Sequence, residues 1–383
     1  MPLPMQYHKL HEFTRGHKSG ITALSFSSNG NYLATAGRDG HVCIWRLSDY
    51  KLLHTLEGRS MTLSLAWIPR REDTLLCGMQ DGCVTVLSFD EVGLCAMALP
   101  GHTAPVEHLA VKDGMLASGA HHELFIWADA KLKGWKPVLD LGTPPKNSQN
   151  EAQEVVISSV HWTVSRAGES LLIVTYLHHG IVIFKTSNWT HLRAIPNNGN
   201  IASASLTANG RTLVTSNMIS GFDIYDAETT ASLGSLPNPA ADVVRTVPVL
   251  FAHGGNAIIG GSTIGEVHVW DATTSRLHQV LLHADGQQVL ALSAHYDAPR
   301  DRFLLATGIS NEVTNVFAVL WCAESQRHDN TSQIWRVTAY FRTQIAVLDY
   351  RIFAIWLIVG LIAGGVARIT FSSDGQAMVW NKL

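Results

Sequence analysis

The chain has 383 residues, 46% hydrophobic and 15% charged, with a formal net charge of −3. This is ample apolar material for a packed core, and the near-balanced charge excludes the global basic field that nucleic-acid binding relies on. The five cysteines (Cys43, Cys77, Cys83, Cys95, Cys322) are odd in number and contain no CxxC pair, which argues against a disulfide framework or a zinc centre and for a reducing compartment.

At the N-terminus, "MPLPMQYHKLHEF" has no apolar core of the kind a secretion signal needs. The sequons at Asn188 and Asn330 are therefore read as chance. The first patterned unit runs from Gly16 to Leu47, "GHKSGITALSFSSNGNYLATAGRDGHVCIWRL". Short alternating segments are separated by Ser-Asn-Gly and Arg-Asp-Gly. This spacing predicts a β-meander with strands after Gly20, over 32–36 and over 41–45, turning on residues that tolerate positive φ.

The pattern starts again at Gly58 and at Gly101, and weaker copies follow. Seven units are expected near 15–56, 58–99, 101–141, 155–195, 199–237, 243–282 and 287–324. The third strand of each carries an aromatic (Trp45, Trp127, Phe184, Tyr225, Trp270, Trp321), except that Leu87 takes the place in the second.

Gly16-His17, Asp39 and Trp45-Arg46, with the literal dipeptide Trp270-Asp271, resemble the WD40 repeat family. The resemblance covers roughly residues 5–324. It implies an all-β fold, a β-propeller most often of seven four-stranded blades, with eight as the alternative. Residues 6–13 are expected to supply the outer strand of the last blade.

The same resemblance assigns His17, Thr35, Asp39 and Trp45 to a structural tetrad, a hydrogen-bonded chain that pins two loops on one face of the ring. A catalytic triad uses similar residue types, but the structural role is the better reading. The third unit keeps His102, Ser118 and Trp127, with His121 near the Asp position. The second has Arg59, Cys77 and Leu87 in place of tetrad members and retains only Asp81. Most blades are therefore expected to rely on apolar packing.

The pairs His121-His122 and His178-His179 fall at turns without a framing Cys or carboxylate, so no metal is assigned. "GGNAIIGGSTIGE" (254–266) lacks the Gly-Lys-Ser/Thr ending of a phosphate loop and reads as blade turns and bulges. The segment 142–154, "GTPPKNSQNEAQE", reads as an exposed loop.

Near the C-terminus, Ile352–Ala367 is sixteen residues without a charge, flanked by Arg351 and Arg368. It follows a linker or extra strand over 325–351 and precedes a tail over 368–383. Its length favours a membrane-spanning helix. The alternative is buried strand of an eighth unit, because "FSSDG" at 371–375 echoes "FSSNG" at 26–30.

The expected function is a non-catalytic interaction scaffold facing the cytoplasm, with no cofactor, a protein or peptide partner, no nucleic acid, and a membrane tether if the apolar run spans; the alternatives are a fully soluble eight-bladed or extended propeller subunit of a cytosolic or nuclear complex and, more remotely, a propeller-type hydrolase. The candidate partner-binding face carries Lys18, Arg38, Arg59, His121 and His122, whose charge suits an acidic or phosphorylated peptide.

Overall fold

Over the repeated units, short segments rich in β-branched and aromatic residues, broken by turn residues at close intervals, favour strands over long helices. A computed structural model describes residues 5–130, 134–146, 150–195, 199–218, 221–237, 246–283, 287–309 and 318–324. Within them lie seven four-stranded antiparallel sheets.

Strand β1 (Tyr7–Phe13) precedes the first complete blade, β2 (Ile21–Phe26), β3 (Tyr32–Gly37), β4 (His41–Arg46) and β5 (Lys51–Glu57). Blade 2 is β6 (Thr62–Trp67), β7 (Thr74–Met79), β8 (Cys83–Phe89) and β9 (Leu94–Pro100). Blade 3 is β10 (His108–Lys112), β11 (Met115–Ala120), β12 (Glu123–Asp129) and β13 (Trp135–Asp140). Blade 4 is β14 (Ile157–Val164), β15 (Ser170–Tyr176), β16 (Gly180–Lys185) and β17 (His191–Ile195). Blade 5 is β18 (Ile201–Leu206), β19 (Thr212–Asn217), β20 (Gly221–Asp226) and β21 (Ser232–Pro237). Blade 6 is β22 (Val249–Ala252), β23 (Ala257–Gly260), β24 (Glu266–Asp271) and β25 (Arg276–Leu282). Blade 7 is β26 (Val289–Asp297), β27 (Arg302–Ile309) and β28 (Ala318–Glu324), completed on its outer edge by β1.

The closure is direct: Tyr7 lies opposite Ala323 and Phe13 opposite Ala318. Tyr7 is also tied to blade 6, where its N–H and carbonyl bond Gln279 at 2.8 and 2.7 Å.

Burial explains why the strands do not all alternate. The second and third strands of each blade are covered on both faces by neighbouring blades, so β7 (TLLCGM) is buried throughout and reads as a continuous apolar run. The outer strands protrude, as the mostly exposed β17 does. One apolar cluster fills each seam between adjacent blades. Each fully buried Leu, Ile or Val contributes about 1.5–3 kcal/mol.

Hydrogen bonds cross every seam near the axis. Trp67 Nε1 donates to Ser25 O, Ser64 Oγ to Val106 O, Trp162 Nε1 to Ala110 O and His161 Nε2 to Ala204 O. Phe251 N donates to Ser205 Oγ, Val289 N to Ser262 O, and Phe26 N to Ser293 Oγ at 3.2 Å. The last of these joins blade 1 to blade 7. Ile21 closes tightly on Gly308 at the same seam, where a Cβ would lie 2.6 Å from the Ile21 side chain. No room remains there for an eighth blade, so that alternative is corrected: the ring closes on seven.

The glycine-rich stretch 254–266 resolves into a 3-10 turn, β23, a second turn and the start of β24. Residues 325–351, the apolar run Ile352–Ala367 and the tail 368–383 lie outside the described residues, and the membrane-span and extra-strand readings lie there with them. Among the described residues, no helix is long and apolar enough to cross a membrane.

Candidate interaction face

In blade 1 the side chains of Trp45, Thr35, His17 and Asp39 form a continuous chain. Trp45 Nε1 donates to Thr35 Oγ1 at 3.0 Å. Thr35 Oγ1 lies 2.7 Å from His17 Nε2, and His17 Nδ1 lies 3.3 Å from Asp39 Oδ1. A carboxylate can only accept, so the proton sits on Nδ1 and Nε2 accepts from the hydroxyl. Every donor is then used.

Backbone geometry makes room for the chain. Gly16 sits at φ +95°, where a Cβ would meet Cys43 Sγ at 2.9 Å. At Gly37 a Cβ would lie 2.6 Å from both Asp39 Oδ1 and His17 Nδ1. Asp39 also accepts the N–H groups of Lys18 at 2.5 Å and His41 at 3.0 Å. Burial alone would raise its pKa, but the bonds from His17, Lys18 and His41 outweigh that and hold the carboxyl well below the usual carboxylate range.

Blade 3 repeats the chain with one change. Trp127 Nε1 donates to Ser118 Oγ at 2.8 Å, and Ser118 Oγ lies 2.7 Å from His102 Nε2. The acid beyond His102 Nδ1 is Glu123, at 3.0 Å. The expectation that placed His121 near the acid position is thereby corrected. The turn is only two residues long, and Glu123, first in β12, reaches back in place of an aspartate. Glu123 also accepts from the Thr103 N–H at 2.9 Å and from its hydroxyl. Burial lowers the pKa of His102, with Glu123 opposing. His121 instead faces its neighbour and the 142–154 loop, with Nδ1 3.1 Å from His122 Nδ1 and Nε2 3.1 Å from Glu154 Oε1.

A third chain, in blade 7, escaped the sequence reading. Trp321 Nε1 donates to Thr307 Oγ1 at 2.9 Å, and Thr307 Oγ1 lies 3.1 Å from His283 Nε2. Among the described residues, blades 2, 4 and 6 have no equivalent. By register, Cys77 and Leu87, Val174 and Phe184, and Gly260 and Trp270 occupy the hydroxyl and tryptophan positions. Blade 5 keeps Thr215 opposite Asp223, but its buried hydroxyl has no hydrogen-bond partner.

The chain in blade 1 organises surface loops. Its Asp39 holds the backbone of Lys18, and Gly58 N donates to Gly40 O at 2.9 Å. That second bond ties the loop bearing Arg59 to the turn bearing Arg38. Lys18, Arg38 and Arg59 are exposed. Among the described residues none of the three is in an ion pair. His122 is exposed and His121 half-buried on the neighbouring blade 3 turn.

The axis holds a cavity of about 350 Å³ lined by Glu107, His108, Ser158, His161, Ser203 and others, with no lysine or arginine among the described residues that line it. Burial pushes His108 and His161 down to about 4, aided at His108 by the charge of His161, and pushes Glu107 up. Among the described residues no three His, Cys, Asp or Glu side chains converge as a metal site would require.

Residues 8–46 match the family described as WD domain, G-beta repeat. The chain is 25% identical over 290 residues to protein tipD of Dictyostelium discoideum, a match covering 73% of this chain and 44% of that protein. It is 23% identical over 268 residues to telomerase protein component 1 of Rattus norvegicus, covering 67% and 10% respectively. It is 32% identical over 112 residues to the DENN domain and WD repeat-containing protein SCD1 of Arabidopsis thaliana, covering 28% and 9%. The chain thus spans less than half the length of each of these relatives.

Proposed function

We propose that this seven-bladed propeller is a non-catalytic scaffold, and that the face carrying its tetrad loops docks an acidic or phosphorylated peptide. The observation that carries the reading is the set of three unpaired cations, Lys18, Arg38 and Arg59, on loops anchored to one buried hydrogen-bond chain. Anchored cations lose little freedom on binding, and arginine forks match phosphate and carboxylate geometry. A catalytic use of the tetrad is disfavoured by burial. Thr35 is 1% exposed and His17 7%, and their polar atoms are occupied by one another, so no nucleophile meets solvent. The relatives named above support a WD-repeat assignment and leave the partner's identity to this face.

The test is a peptide array of acidic, phosphorylated and neutral sequences probed with the full chain at low and high salt. Retention of the acidic and phosphorylated peptides, weakened by salt and lost in the Lys18→Glu/Arg38→Glu/Arg59→Glu variant, is expected. Retention unchanged in that variant sinks the reading.

A second reading concerns placement in the cell. The sixteen uncharged residues of Ile352–Ala367, flanked by Arg351 and Arg368, favour a tether that holds the propeller at the cytoplasmic face of a membrane. Alkaline carbonate extraction of the full chain and of a 1–345 truncation decides it. Both forms leaving the pellet together removes the tether.

A further inference from the structure

A propeller exposes the outer edge of each blade, a row of backbone N–H and C=O groups ready to pair with another strand, unless the edge is spoiled. Six of the seven outer strands are spoiled by a register shift against the strand inside them: β1, β5, β13, β17, β21 and β25. Most carry a further obstacle. Charges stand on β1 (Lys9, Glu12), β5 (Lys51, Glu57), β17 (Arg193) and β25 (Arg276). Pro137 interrupts β13, and β21, though uncharged, holds Gly234 at φ +142°.

Blade 2 is the exception on both counts. Its outer strand β9, LCAMALP, pairs with β8 in unbroken register from Cys83 opposite Pro100 to Phe89 opposite Leu94. It has no charge, no histidine and no internal proline or glycine. Cys95, Ala96, Met97 and Ala98 are all exposed, Met97 at 47%. The turn before it adds Val92 at 94%. Leu94 packs towards blade 1 and Leu99 towards blade 3, so the strand is held straight at both ends while its middle faces solvent.

We propose that β9 is a strand-addition edge whose occupant is β9 of a second copy of this chain, paired antiparallel about a two-fold axis into a continuous eight-stranded sheet. The choice of a second copy follows from the composition of the edge. A strand that pairs with itself must avoid like charges facing each other, and β9 alone among the outer strands is both uncharged and unbulged. A charged partner strand would find no complementary charge on β9, whereas a second β9, itself uncharged, meets none that opposes it. An isologous pair also closes on itself and does not run on into fibres.

The mass of the full chain in solution, followed by sedimentation from about 1 to 100 µM, is expected to rise towards twice the monomer. The same rise is expected for Leu233→Lys, a charge on the exposed edge of β21. It is expected to vanish in Ala96→Lys/Ala98→Lys, whose thermal melt serves as the check that the fold is kept. Hydrogen exchange gives the second readout, with amides of residues 94–100 slowing at least about tenfold between the dilute and concentrated samples. A monomer throughout the range overturns the proposal, including the case in which an added extended apolar peptide protects β9 instead. So does a dimer that survives the double lysine variant or leaves exchange over 94–100 unchanged.

Discussion

Where blade 1 buries Thr35 and Trp45 against the seventh blade, blade 4 buries Val174 and Phe184 against the third. All four side chains are at most 5% exposed. The seams are equally dry, yet only blade 1 threads a polar chain from its core to its surface loops. Among the described residues no such chain runs through blade 4, whose turn has only a half-buried link, His178 Nδ1 3.0 Å from Asn200 Oδ1. Its turn places His179, 4% exposed, with neither ring nitrogen hydrogen-bonded. Packing thus holds both blades together, while the hydrogen-bond chain decides where the loops of blade 1 stand.

The strongest way to break this contrast is to empty both seams. Trp45→Ala and Phe184→Ala are each expected to cost about 3–5 kcal/mol in urea unfolding. A cost for Trp45→Ala far above that for Phe184→Ala would mean that the polar chain, and not packing, carries the blade 1 seam.

Exchanging single residues between the two solutions is expected to hurt less. Thr35→Val strands the Trp45 N–H and His17 Nε2, at about 1–3 kcal/mol. Val174→Thr buries a hydroxyl with no chain to join, at about 1–3 kcal/mol. The pair Thr35→Val/Trp45→Phe is expected to recover part of the first loss, read as a coupling in a double-mutant cycle. A silent Thr35→Val would show the chain to be energetically idle.

Acid sharpens the contrast further. Burial, with the charge of Lys9, pushes half-buried His283 down to about 4, and Glu12 opposes. The unfolded value is about 6.5. Between the two the unfolded chain binds more protons, so stability falls as pH falls from about 6.5 to 4. Asp39, held below the usual range of about 3.9, keeps its contribution above that value and loses it on further acidification. Urea midpoints against pH are expected to flatten in the upper window for His283→Gln and in the lower one for Asp39→Asn. Unchanged slopes would detach these residues from the chains. The smallest effect expected is that of Glu154→Gln, which removes an exposed partner of His121 and is expected to shift the urea midpoint by less than about 0.5 kcal/mol equivalent.

Much of this architecture can be read without coordinates. The Gly-His, Asp and Trp-Arg frame of the first unit, repeated turns and the strand-three aromatics point to a ring of blades, and "QYHKLHEF" is legible as a closing strand because it precedes the first Gly-His without a blade of its own. What stayed hidden was hidden by spacing. In blade 1 the histidine stands 18 residues before the hydroxyl and the tryptophan 10 after. In blade 7 those intervals stretch to 24 and 14: β26 and β27 are 9 and 8 residues long, which lengthens the first, and eight positions separate Ile309 from Ala318, which lengthens the second, while no glycine precedes His283. In blade 3 the shortened turn moved the acid from Asp to Glu123, which local spacing reads as the start of a strand. The edge of β9 was unreadable in part, for a different reason. Its lack of charge can be read from the residues, but the missing bulge is a property of the pairing.

The closing strand has a consequence in time. Tyr7 leaves the ribosome more than three hundred residues before its partner Ala323. At ordinary synthesis rates of about 5–20 residues per second the interval is on the order of tens of seconds. For that period β1 stays unpaired while blades accumulate behind it, and the ring is an open arc. Bringing the ends together late adds little entropic cost, because closure entropy grows only with the logarithm of length. The vulnerability is therefore kinetic. A permuted chain that begins at the first Gly-His and carries residues 5–14 after β28 would form its clasp locally, and is expected to reach the closed ring sooner with the same seven seams.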